Sequence, residues 1–429
     1  MDVLAPAKRA EFSLNMAFPR KKVPPLLFSL EPLGIDIEFH GCAEAATGFA
    51  SVLRGWGGTP VPRRDDVEPD IKIIRSGGVH HWHGTGLTKP LVWRERAPST
   101  IMGVICDLHD VLFDWFLDRH TEHLCLHAAA IEVGQGLILI PSVGRAGKST
   151  LSVAMAELGH RVFADDVLAL EPERDHGTAF GILPRLRLPL PEKIGSRYRR
   201  FLGNRTGPAN DHWVYAALRD GEIAPFGTTA PIKAIVFLDR RTSGAARLEP
   251  VASAYVLREL VQQNFAEGVA PVPAFDRLLA LAARADCRRL VFSDTNEAAE
   301  LLSSEYRAKR QVRTARSMPA KLGVSGVERR FGEALFLVSQ RRNAVLGLSP
   351  TAAAIWRQVT EGRSRRVVEA LFNSAFPNVD PGQIKTDIDQ AYRMFERHGL
   401  VRANGRIAVQ PPGRGAANLR APRRSSARR

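Results

Sequence analysis

The stretch from Leu126 to Leu170 reads LHAAAIEVGQGLILIPSVGRAGKSTLSVAMAELGHRVFADDVLAL. It opens as strand, tight GQG turn and strand. A glycine-bearing loop then leads into the helix KSTLSVAMAELG, with Gly159 as its C-cap, and the buried strand HRVFADDVLAL follows. Strand, glycine loop, helix and strand in that order require an α/β fold with a loop at a helix N-terminus. There, backbone N–H groups and the helix dipole favour an anion. The loop ends in Gly147, Lys148, Ser149 and Thr150, the closing half of the phosphate-binding pattern G-x-x-x-x-G-K-[ST]. Its first position holds Ser142 in place of glycine, followed by Val143, Gly144, Arg145 and Ala146. In such a loop the lysine is a mobile cation for phosphate and the next hydroxyl a magnesium ligand.

Asp165 and Asp166 sit in the following strand, expected beside the loop strand with its end near the phosphates. Adjacent acids at the end of an apolar strand are costly to bury without a cation. One can hold magnesium, and the other can take a proton from an attacking hydroxyl. His127 lies on the strand of the hairpin that precedes the loop. Taken alone, it reads as a satisfied core or surface residue. The run HHWHG, His80 to Gly84, suggests a metal site only superficially. With no carboxylate or cysteine beside it in sequence, it reads as a polar strand or turn.

The chain has 429 residues, enough for two to four domains, and 45% hydrophobic content suffices for buried cores. No apolar run is long enough to span a bilayer, and the N-terminus lacks a secretory pattern, so a membrane partner is not expected. Cys42, Cys106, Cys125 and Cys287 are scattered, which opposes a zinc ribbon or disulfide framework and suits the cytoplasm. Much of the excess in the net charge of +15 sits in YRAKRQVRTARSMPAK (306–321) and in the arginine-rich tail after 411, both read as solvated segments.

These features divide the chain into an N-terminal tail (1–24), a mixed α+β region (25–118), an α/β phosphate-loop unit (119–304), a basic linker (305–326), a compact final unit (327–410) and a basic tail (411–429). In the first region LGIDIEFHG and DIKIIRSG read as strands and HDVLFDWFLDRH as an amphipathic helix. In the final unit EALFLVSQRRNAVLGLS is a hairpin. Ser349-Pro350 and Asp380-Pro381 open two of the three helices, and LVRANGRIAVQ is a closing hairpin, which together make a winged helix.

The segment Leu126 to Leu170 resembles the core of HPr kinase/phosphorylase, and more closely the HprK-related kinases of group A. The shared pattern is a histidine-bearing hairpin, phosphate loop, short helix, Gly-His and a strand ending near Asp-Asp. A weaker resemblance extends over 30–302, including AIVFLDRR and VFSDTNEAAELL. It implies a P-loop fold related to phosphoenolpyruvate carboxykinase, with ATP and Mg2+ as cofactors and a homo-oligomeric assembly. It also implies roles: Lys148 on the nucleotide phosphates, Ser149 on magnesium, Asp165 as general base toward a serine hydroxyl, Asp166 on magnesium and His127 in the active site. The two acids can exchange roles, and Arg185 or Arg187 in LPRLRLP would contact phosphate or substrate. HPr kinase carries G-x-S-G-x-G-K-S in its loop, so Ser142, Gly144 and Arg145 are departures.

The final unit resembles PqqD, carried by LGLSPTAAAIWRQVTEG and DIDQAYRMFERHGLV. The resemblance implies capture of a leader peptide as an extra strand, with 334–338 as the candidate edge; Trp356 reads as core. The expected activity is therefore ATP-dependent phosphorylation of a serine or related hydroxyl on a recruited peptide or small protein, in ribosomal peptide modification. Tethering a capture unit to a kinase raises the local substrate concentration. The alternatives are a nucleotide-binding peptide chaperone without transfer and a winged-helix DNA-binding regulator. Asp387, Asp389 and Glu396 on the third helix oppose phosphate contact, so nucleic acid is not the expected partner.

Overall fold

The computed structural model describes residues 24–63, 67–84, 100–141, 146–191, 194–308, 328–339 and 342–402. The N-terminal region contributes β1 (Leu26–Leu30), β2 (Ile35–His40), α1 (Ala43–Ser51), β3 (Val61–Pro62), β4 (Ile71–Ser76), β5 (Val79–Gly84) and α2 (Ile101–Arg119). Its five strands form one sheet in the order β3-β1-β2-β4-β5, and the histidine run is the edge strand β5. Helix α2 begins earlier than HDVLFDWFLDRH, capped by the Thr100 hydroxyl, which accepts from the Gly103 N–H at 3.0 Å. It is also more buried than an amphipathic surface helix, because its residues join the core that runs from Phe28 to Tyr306.

The central elements are β6 (Leu124–Val133), β7 (Gly136–Pro141), α3 (Lys148–Glu157), β8 (Arg161–Ala164), β9 (Val167–Leu170), β10 (His176–Thr178) and β11 (Arg185–Arg187). There follow α4 (Ser196–Gly203), β12 (Thr206–Ala209), β13 (Trp213–Ala216), β14 (Thr229–Arg240), β15 (Arg247–Pro250), α5 (Ser253–Gln263), α6 (Pro271–Arg284), β16 (Asp286–Phe292) and α7 (Thr295–Ala308). The main sheet has the order β10-β9-β6-β7-β14-β16-β15, with β8 also on β6. β7, β14 and β16 run parallel, and β6–β7 is an antiparallel hairpin. β11, β13 and β12 form a separate small sheet in that order.

β7 is buried at all six positions, as a parallel-sheet strand covered on both faces must be. β6 alternates: Cys125, Ala129 and Ile131 enter the core shared with α2 and α3, while Leu124, Leu126, Ala128 and Ala130 enter the opposite core with α5 and α6. His127 has the parity of the first set and so faces the helix that follows the loop. The strand that leads into Asp165-Asp166 does not lie beside the loop strand; β8 and β9 both pair with β6, on the far side of the hairpin from β14. The added hairpin strand takes the place beside β7 that the acidic strand was expected to occupy.

The C-terminal region has β17 (Glu328–Phe331), β18 (Ala334–Ser339), β19 (Ala344–Gly347), α8 (Pro350–Thr360), α9 (Arg365–Ala375) and α10 (Pro381–Arg397). Both expected caps are present: Ser349 Oγ accepts from Ala352 N–H at 3.2 Å, and Asp380 Oδ2 from Gln383 N–H at 2.9 Å. Residues 403–410 of the closing hairpin lie outside the described residues. The expectation that 334–338 offers a free edge is overturned, because β18 is the middle strand of β17-β18-β19. The segment GVERRFG looks too charged for a strand, yet its charges are matched. Arg329 makes a bidentate pair with Asp276 of α6 at 2.7 and 3.1 Å, and Glu328 accepts from Trp356 Nε1 at 2.8 Å. Trp356 is fully buried, as expected of a core residue.

This sheet is covered on both faces. Leu335 and Leu337 face α8 and α10, whereas Phe336 and Val338 join the core of α5 and α6, with Phe336 and Phe275 ring centroids 5.0 Å apart. The C-terminal region is therefore seated on the central one by apolar packing. Phe336→Ala is expected to cost about 3–5 kcal/mol, the usual penalty for emptying a buried phenylalanine site. Denaturant unfolding should register the loss, and hydrogen exchange should rise across β17–β19 and across α6 together.

Candidate functional site

At the C-terminal end of β7 the chain enters the loop that leads to α3. Ser142, Val143, Gly144 and Arg145 lie outside the described residues, so the described part begins at Ala146. Gly147 adopts φ +100°, a left-handed conformation open to glycine but strained for other residues, and it starts α3 there. Lys148 is the first helical residue and Ser149 and Thr150 follow. All of Ala146 to Thr150 line a cavity of about 690 Å3.

His127, Asp165, Asp166, Arg185 and Arg187 line the same cavity. His127 Nε2 lies 2.7 Å from Asp166 Oδ1 and 3.3 Å from Lys148 Nζ. One ring nitrogen serves one partner at a time, so Nε2 either donates to the carboxylate or accepts from the ammonium. A backbone bond from Ala128 N–H to the Asp166 carbonyl, 2.9 Å, fixes the acidic turn against β6. The contact between His127 and Asp166 is thus set by strand register.

The two acids differ. Asp165 is buried, and its Oδ2 accepts from the Arg185 backbone N–H at 3.1 Å. Its Oδ1 is buried with no hydrogen-bond partner. Desolvation, followed by the neighbouring Asp166 charge, pushes its carboxyl up to about 6, against the pull of Ser149, the Arg185 N–H and Lys148. Asp166 opens into the cavity with 56% of its side chain exposed. Burial would raise it, but the His127 hydrogen bond and the charges of His127, Arg185 and Lys148 hold it below the usual aspartate value. Lys148 is buried, and desolvation lowers it despite both carboxylates.

Ser149 and Asp165 supply hydroxyl and carboxylate oxygens, the donors that magnesium prefers. The unpartnered Asp165 Oδ1 beside Lys148 and Ser149 fits such an ion, since a cation there would satisfy a buried oxygen that otherwise remains destabilising.

Arg185 and Arg187 stand on the same face of β11, opposite Tyr215 and Trp213 of β13. Their guanidinium carbons lie 4.9 and 4.7 Å from the Trp213 ring centre. Arg185 also donates to Cys106 Sγ. Cys106, His109, Asp110 and Phe113 line the cavity from α2. Tyr215 Oη lies 3.2 Å from His109 Nδ1, and burial drives the His109 imidazole down to about 3, keeping it neutral. Arg240, at the end of β14, also lines the cavity. Sequence reasoning missed these lining residues outside the motif. The signals were present: 106, 109, 110 and 113 follow helical spacing, and Trp213 and Tyr215 follow strand spacing.

A family model described as coenzyme PQQ synthesis protein D (PqqD) matches residues 334–401, within the final unit read from the sequence. The solved Hpr(Ser) kinase/phosphatase from Coxiella burnetii matches at 15% identity over 43% of this chain and 95% of that one, with a TM-score of 0.23. Both resemblances read from the sequence recur in these comparisons. At that TM-score the structural likeness carries no argument about activity, which rests on the geometry above. No curated protein matches the chain. Among the described residues, no helix is long and apolar enough to cross a membrane.

Because folded Asp165 binds its proton more tightly than an unfolded aspartate, stability falls as pH rises from the ordinary value of 3.8 through about 6. Asp165→Asn removes the buried charge. Its melting temperature should exceed that of the parent at pH 7.5 in magnesium-free buffer, and the gap should close at pH 4.

Proposed function

We propose that the chain is an ATP- and magnesium-dependent kinase that phosphorylates a serine, or a related hydroxyl, of a peptide held by its PqqD-like region. The observation that carries this reading is the convergence of Lys148, His127, Asp165 and Asp166 in one cavity at the start of α3. A helix N-terminus with a lysine receives phosphate. A carboxylate and imidazole pair beside it can receive a proton.

The geometry favours the exchanged assignment of the two acids. A base must reach the acceptor hydroxyl, and Asp166 opens into the cavity whereas Asp165 is enclosed. Asp166 would accept the hydroxyl proton as the oxygen attacks the γ-phosphorus and the bond to the β-phosphate oxygen breaks, releasing ADP. His127 holds the Asp166 carboxylate by its 2.7 Å contact, and Lys148 neutralises phosphate charge. Ser149 and Asp165 would hold magnesium, which when bound offsets charge on the β- and γ-phosphates. Arg185 and Arg187, on the β11 wall, would contact phosphate or the acceptor.

In the same reading, residues 119–308 are the kinase unit, because α7 continues to Ala308 and buries Tyr306 in the core where the sequence suggested a linker from 305; the basic stretch from there to 326 is the linker and 327–410 a winged-helix capture unit, in a cytoplasmic homo-oligomer. Because β17 and β19 flank β18, a bound peptide strand would add to an outer edge of the three-stranded sheet. Main-chain pairing there would supply affinity, and the seating on α5 and α6 would present the peptide from a fixed position.

Transfer from γ-labelled ATP to a cognate leader-bearing peptide tests the reading. Lys148→Ala should abolish labelling. Asp166→Asn should lower the rate by about 10²–10⁴-fold, the usual worth of a general base, while magnesium-dependent nucleotide binding persists. Asp165→Asn should lose the magnesium dependence of binding itself. In the parent, apparent magnesium affinity should weaken as pH falls through about 6, where Asp165 takes up its proton. Nucleotide binding without label on any presented peptide would instead indicate a chaperone.

A further inference from the structure

The corner between α2 and β6 carries a second donor cluster, outside the cavity. One ligand atom each from His120, Glu122 and His123 lie within 4.8 Å of one another, the one such group of three among the described residues. His123 Nδ1 is buried and lies 3.2 Å from Glu122 Oε1, in a geometry poorly aligned for a hydrogen bond. An unaligned imidazole nitrogen and carboxylate oxygen at that spacing match an edge of a tetrahedron. Bonds of about 2.0–2.1 Å to a central ion give an edge of about 3.3 Å.

The rings and the backbone of the corner are already held in place. His120 stacks on Phe116 with centroids 4.4 Å apart, and His123 meets the same ring edge-on at 5.5 Å. The two imidazoles lie 5.2 Å apart at 75° to each other. His120 N–H bonds to the Phe116 carbonyl and His123 N–H to the His120 carbonyl, each at 2.9 Å. Arg277 of α6 donates to the Glu122 carbonyl at 2.7 Å. Gly268 approaches Thr121 so closely that a Cβ there would sit 2.5 Å from its carbonyl oxygen. Imidazoles fixed this way lose little entropy when an ion binds.

We propose that His120, Glu122 and His123 form a three-ligand site for a divalent transition-metal ion, with a fourth position open to water, that clips the end of α2 to the start of β6. Two imidazoles and a carboxylate suit zinc-like ions over magnesium or calcium. The clip would join the two elements that carry His109 and His127 to the cavity wall, through residues that do not themselves line the cavity.

The test is calorimetric titration of zinc chloride into tag-free, chelator-stripped full chain, with excess magnesium present to occupy hard-ion sites. The expected result is one zinc per chain. His123→Ala and Glu122→Gln should each weaken it by at least about tenfold, the scale on which ligand-supporting groups act. His81→Ala, on the separate β5 strand, should leave it unchanged. Glu122 is solvent-exposed and glutamine is its isostere, so that variant reads the site without a folding defect. Absence of stoichiometric binding would overturn the proposal, as would binding that survives both substitutions. Zinc binding abolished by Asp166→Asn would also overturn it, by placing the ion in the cavity.

Discussion

The register of β6 against the acidic turn is the constraint on which the rest of the site depends. The bond from Ala128 N–H to the Asp166 carbonyl closes the sheet at the point where β8 gives way to β9. On its other edge β6 pairs with β7, whose end delivers Lys148. One strand therefore sets both separations that matter, His127 to Asp166 and His127 to Lys148. A slip of one residue would turn His127 into the opposite core and place Ala128 toward the loop.

Within this frame, solvent access separates two chemically identical acids. Asp165 is enclosed under Arg185 and beside Ser149, with one oxygen lacking a partner, and desolvation dominates its titration. Asp166 keeps contact with the cavity and with His127 and remains ionised more readily. Surroundings that push two titratable groups in opposite directions give chemically identical side chains different protonation behaviour. The buried Lys148 belongs to the same balance, since its ammonium is desolvated unless the acids and an incoming phosphate surround it.

Much of this centre was legible in the sequence because its parts are local. Gly147, Lys148 and Ser149 are contiguous, the Asp165-Asp166 pair is contiguous, and alternation along β6 identifies the side of the sheet that His127 faces. What was not legible depends on partners distant in the chain. β17 was missed because Glu328 and Arg329 look solvated until Trp356 and Asp276 are seen beside them. That omission alone turned a central strand into an apparent edge. The wall of Cys106, His109, Trp213 and Tyr215 joins α2 to β13, two elements about a hundred residues apart in sequence, and no single window contains it. The strand order of the main sheet was misjudged for a related reason, because sequence shows the β6–β7 hairpin but not which neighbour it displaces.

The C-terminal sheet adds a second consequence of burial. Packed on α5 and α6 through Phe336 and Val338, it is held against the central fold by a hydrophobic face rather than only by the chain that connects them. Under the proposed function, that seating fixes where an acceptor would arrive, and the cavity must then supply the ion and phosphate geometry. Crystals soaked with manganese and a non-hydrolysable ATP analogue would decide whether Ser149 and Asp165 hold the ion beside the nucleotide. The expected result is an anomalous manganese peak bonded to Ser149 Oγ and the Asp165 carboxylate, with phosphate oxygens against Lys148 and with Asp166 left free to meet an acceptor. A cavity without nucleotide, or manganese held by Asp166 and His127 away from Ser149, would overturn the assignment.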